Sequence, residues 1–65
     1  MRTYSFDCLN SVGTVWKVQL RRCSDDRHAL AEARAMLSHE TSCFAVEVWR
    51  EGGRVGRMDY RAAVA

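Results

Sequence analysis

The 65-residue sequence has no proline, only four glycines, and three cysteines without a CxxC pair. Each shortage excludes something. Without proline, nothing forces a break in a helix or a central strand. An odd cysteine count argues against a disulfide framework and for a reducing compartment. No stretch approaches the roughly 18 apolar residues that cross a bilayer. The opening MRTYSFDC lacks the apolar run of a secretory signal. A cytoplasmic protein with no membrane contact is expected.

Motifs that carry chemistry are also missing. Cys23, His28, His39 and Cys43 follow a C-x4-H-x10-H-x3-C spacing. On a helix, however, the two histidines would stand about 16 Å apart at 1.5 Å per residue. Zinc ligands must lie within about 2.0–2.3 Å of one centre. Cys23 precedes a helix start beside Arg21 and Arg22, which favours a thiolate, but Asp25 and Asp26 oppose it. That leaves an incidental small residue, with redox sensing as the functional alternative. Asp25 and Asp26 suit the positive end of a helix dipole, and nothing nearby would keep one protonated for acid catalysis. Gly52, Gly53 and Gly56 precede a strand and so form no phosphate cradle. No catalytic residue, metal ligand or cofactor site is expected, and the chain reads as a non-enzyme.

What is present is an architecture. Ser24 to Glu40 reads as a helix, because Ala29, Leu30, Ala33, Met36 and Leu37 share one stripe at 100° per residue. Alanine at 29, 31, 33 and 35 supports it. Ser24 or Asp25 can cap its first amides, without the glutamate of a capping box. Before the helix, RTYSFDC places Tyr4, Phe6 and Cys8 on one face. Residues 14–22 then alternate Trp16, Val18 and Leu20 against Lys17, Gln19 and Arg21. NSVG joins the two as a hairpin. After the helix, Phe44, Val46 and Val48 alternate with Cys43, Ala45, Glu47 and Trp49. Gly52-Gly53 is expected to form a two-residue turn into Arg54–Met58, setting Trp49 across from Gly56.

The expected fold is α+β: ββαββ, a four-stranded antiparallel sheet in the order 2-1-3-4 with the helix on one face. Residues 1–58 would form the domain and residues 59–65 a flexible tail. Tyr4, Phe6, Trp16, Val18, Leu20, Phe44, Val46, Val48 and Val55 would meet Leu30, Ala33 and Leu37 in the core. A chain this short buries only about 60% of the surface its unfolded form exposes, so a partner that covers more apolar surface would help it.

With Tyr4 and Phe6 as a YxF-type first strand, alanines through 29–35 and the segment AVEVWREGGRVGRM, the chain resembles a set of small bacterial proteins of unknown function. The resemblance implies the ββαββ fold and brings no activity, cofactor or catalytic residue with it.

The side of the sheet away from the helix is then the surface of interest. Trp49, Met58, Lys17, Arg21, Glu47, Arg50, Arg54 and Arg57 are its candidate contacts. Net charge is only +2, yet nine of the ten cations are arginine, the residue suited to carboxylates, phosphates and aromatic faces. Eight interspersed acidic residues leave no uninterrupted basic stripe. Aromatics with arginine are typical of protein contacts. A homodimer, or binding of another protein, through this face around Trp49 or through the exposed edge of residues 14–22, is the leading expectation. Weak nucleic-acid binding through Trp49 and the arginines is the alternative.

Overall fold

A computed structural model describes residues 1–39 and 43–59 of the chain. It contains β1 (Arg2–Leu9), β2 (Val15–Cys23), α1 (Asp26–His39), β3 (Ala45–Arg50) and β4 (Gly53–Asp59). The strands form one antiparallel sheet in the order β2-β1-β3-β4, as the sequence leads one to expect. Asp59 closes β4 instead of opening a tail. The remainder of that expected tail, residues 60–65, lies outside the described residues, as does Glu40.

The helix starts at Asp26 because Asp25 is its cap. The Asp25 carboxylate accepts the His28 amide at 2.8 Å, and its carbonyl accepts the Ala29 amide at 3.1 Å. Nδ1 of His28 in turn accepts the Ser24 amide at 3.1 Å, and its Nε2 lies 3.5 Å from Glu32. Ala29, Ala33, Met36 and Leu37 form the buried stripe. They lie over β3 and β4 and touch β2 little.

Beneath the helix, Tyr4, Phe6 and Cys8 from β1 join Val46 and Val48 from β3, and Leu30, Val55 and Met58 pack against them. Cys8 and Cys43 are joined by a disulfide with their Cα atoms 5.5 Å apart. This corrects the expectation drawn from the odd cysteine count, since Cys23 is simply the one left over. Phe44 is the second correction: it stands 53% exposed and outside the core.

The largest correction concerns β2. Asn10 accepts the Gly13 amide and donates to the Thr14 carbonyl, both at 3.0 Å, while Gly13 takes a positive φ of 86°. Such a three-residue loop sets Leu9 opposite Val15. Continued without interruption, the ladder would place Trp16, Val18 and Leu20 opposite Cys8, Phe6 and Tyr4, facing the helix. Instead Trp16 is an extra residue, and Cys8 pairs with Lys17, Phe6 with Gln19 and Tyr4 with Arg21. One inserted residue turns every later side chain to the other face. Trp16, Val18 and Leu20 are therefore 46%, 56% and 70% exposed.

The second hairpin also carries a bulge. Arg50 pairs with Gly53, so the turn residues are Glu51 and Gly52 and not the two glycines. Gly52 has a φ of 99° and, among the described residues, no non-glycine residue has a positive one, the sign pattern a type II turn asks of its third position. Val55 is then the extra residue, and Gly56 pairs with Val48 instead of Trp49. Leu30 sits over Gly56, where an added Cβ would come within 3.2 Å of its Cδ2. Met58, expected on the outer face, lies on the helix side.

Candidate functional site

The candidate surface divides between the two sides of the sheet. Trp49 and Glu47 lie on the open side, as expected, and Arg54 and Arg57 lie there with them. Lys17, Arg21, Arg50 and Met58 lie on the helix side, because their ladder partners are Cys8, Tyr4, Tyr4 and Val46.

On the helix side the two arginines are fasteners. Arg21 and Arg50 flank Tyr4 in one cross-strand row. Arg21 reaches Glu32 at 2.9 Å and Arg50 Nε reaches Asp26 at 3.1 Å. The same Asp26 oxygen accepts the Tyr4 hydroxyl at 2.8 Å. Burial above all, and then the carboxylate beside it, raise the Tyr4 pKa. Together these contacts pin the first two turns of α1 to β1, β2 and β3. Two of the arginines put forward for a partner are thus committed within the chain.

Burial pushes the Cys23 thiol up, with Glu32 adding to the shift and Arg21 opposing it. A buried protonated thiol is a poor nucleophile, which favours the incidental role for Cys23. A hollow of about 120 Å³ between α1 and β2 is lined by Gln19, Arg21, Ala35, Met36 and His39. It is smaller than the clefts of roughly 300–1,000 Å³ that take small ligands. A larger hollow of about 410 Å³ lies beside Arg2, Thr3, Arg50 and Glu51. Among the described residues no cluster of His, Cys, Asp and Glu could hold a metal ion, and no helix is long and apolar enough to cross a membrane.

The open side is ordered in rows. Leu20, Ser5, Trp49 and Arg54 form one, and Val18, Asp7, Glu47 and Arg57 the next. Asp7 and Glu47 thus stand side by side at the centre. Asp7 accepts the Ser5 hydroxyl at 3.1 Å, and Glu47 pairs with Arg54 at 3.2 Å. Apolar exposure gathers on the β2 side, where Trp16, Val18 and Leu20 lead towards the sheet edge, with Trp49 across Ser5. Lys17 holds its ammonium 5.9 Å from the centre of the Trp16 ring.

The sequence reading assigned these three β2 residues to the core and so missed them as surface. Alternation showed that they share a face but not which one. The bulge that decides it contains no glycine to announce it. No family model, no curated protein and no solved structure matches the chain.

Proposed function

We propose that this chain is a non-enzymatic interaction module that binds protein, and that it associates with itself. One observation carries the reading. Val18, Leu20 and Trp49 are large apolar side chains, all more than a third exposed, on the side of the sheet that α1 does not cover, and Trp16 is 46% exposed at the bulge beside them. Scattered apolar residues are ordinary on a surface, but a group on one sheet side marks a contact. A small core gives the same group a second role, since covering it adds the stabilisation that 65 residues alone supply thinly.

Sedimentation equilibrium over a wide concentration range tests this. Twice the chain mass is expected at high concentration, with a shift to the chain mass when Trp16 and Leu20 are both replaced by serine. A single-chain mass at the highest attainable concentration would remove self-association from the reading.

The nucleic-acid alternative draws on Trp49 lying in one row with Arg54 and next to Arg57. Against it, Arg21, Arg50 and Arg54 already hold carboxylates of the chain. Salt decides the matter, because phosphate binding weakens steeply as salt rises. Absence of binding to single-stranded oligonucleotides at low salt would exclude it.

A further inference from the structure

Resting on the reading just given, we infer that the second copy docks through the β2 edge, antiparallel, with the two-fold axis beside Val18. Such pairing joins two four-stranded sheets into one of eight strands. A two-fold relation between antiparallel neighbours runs perpendicular to the sheet. Both helices then lie on one side, and both open faces merge on the other.

The edge is chosen by comparing the two available. β4 is guarded: it carries Arg54, Arg57 and Asp59, is bulged at Val55 and opens on glycine. β2 is the longest strand at nine residues, and from Lys17 to Cys23 its ladder runs without irregularity. Its own bulge, at Trp16, falls at the ends of the paired segment. Stacking the two open faces instead would bury Asp7 and Glu47 of both copies at the centre, a desolvation that one paired arginine does not offset.

Register follows from charge and apolar matching. Residues directly opposite must share a face, so the axis passes beside one residue and not between two. At Lys17 it would oppose two lysines, and at Gln19 it would set Lys17 against Arg21 twice. At Leu20 it would face Val18 with Arg22. At Arg21 it would oppose two arginines. At Val18, Val18 meets Val18 of the second copy, Lys17 meets Gln19, and Leu20 falls opposite the bulge. No like charges oppose each other, and the exposed apolar group of each chain continues into that of the other.

Cross-linking and mass measurement test both the edge and the register. Directly opposite strand residues lie about 4.5–5.5 Å apart, within disulfide reach. Val18→Cys is therefore expected to give a covalent dimer on mild oxidation, while Leu20→Cys, set several residues along the strand from its own counterpart, gives none. Val18→Arg places two guanidiniums opposite each other and should weaken the dimer by about tenfold or more. Its circular dichroism should match the parent, since the site is 56% exposed. A dimer that ignores Val18→Arg but is weakened by Trp49→Ala would overturn the edge pairing and leave the open-face reading standing. A Leu20→Cys dimer in place of a Val18→Cys one would overturn the register. A parent that stays monomeric would sink both the pairing and self-association.

Discussion

The two hairpins carry the same device and use it to opposite effect. Each has one extra residue a short way from its turn: Trp16 in β2, Val55 in β4. In the second hairpin the extra residue works for the core. It brings Gly56 under Leu30, where a side chain would crowd, and tucks Met58 against the buried cluster, while Arg57 turns outward. In the first hairpin the extra residue works against the isolated core. It sets Lys17, Gln19 and Arg21 on the helix side and turns Val18 and Leu20 away from it. The position of α1 explains why the chain tolerates this. The helix lies over β3 and β4, so the inner face of β2 is mostly uncovered and suits long polar side chains. Arg21 spans the gap to Glu32, and its neighbour Gln19 holds it at 3.1 Å. A bulge that satisfies a lone domain and one that leaves apolar surface exposed are the same local event. The layer above decides between them.

Matched substitutions beyond each bulge break the comparison most directly. Met58→Asp sets a charge against the core, and chemical denaturation should show a loss of about 2–3 kcal/mol. Next in size is Tyr4→Phe, at the row where both hairpins are fastened to the helix. Losing the hydrogen bond to Asp26 should cost about 1 kcal/mol at neutral pH. Its pH signature is more diagnostic than its size. The folded chain holds the tyrosine proton above the ordinary value near 10 that the unfolded chain has. The unfolded state therefore releases that proton first as pH rises. This contribution to stability is complete below about pH 10 and is lost as pH climbs towards and through the folded value. Unfolding midpoints measured into the alkaline range should fall more steeply for the parent than for Tyr4→Phe. An equal slope would show that Tyr4 is not the group responsible. The smallest effect belongs to Leu20→Thr. Measured at concentrations where the chain is monomeric, it should change stability by no more than about 0.5 kcal/mol, because a side chain 70% exposed has little packing to lose. A loss comparable to that of Met58→Asp would mean that β2 faces the helix after all.

Much of the frame could be read from residue order alone. The helix announced itself through the stripe from Ala29 to Leu37 and the cap at Asp25, both local in the chain. Strand order followed from connection rules, because two hairpins bracketing one helix leave few arrangements. Tyr4, Phe6, Val46 and Val48 were correctly placed inside, since β1 and β3 are the central strands and their apolar alternates had only the helix to meet. Of the proposed contacts, Trp49 and Glu47 kept their expected side. Lys17, Arg21 and Met58 did not.

What residue order determined by itself was which side chains travel together: the helical stripe, and each set of strand alternates. Which set looks inward was left to the tertiary structure. A period of two has no preferred phase, and a single extra residue reverses it at no cost that the local sequence reveals. The disulfide was beyond reach for a similar reason. Cys8 and Cys43 are 35 residues apart in the chain and become neighbours only when β1 and β3 pair. The exposed apolar surface on β2 therefore exists because of where the ladder slipped, and not because of any motif written along the chain.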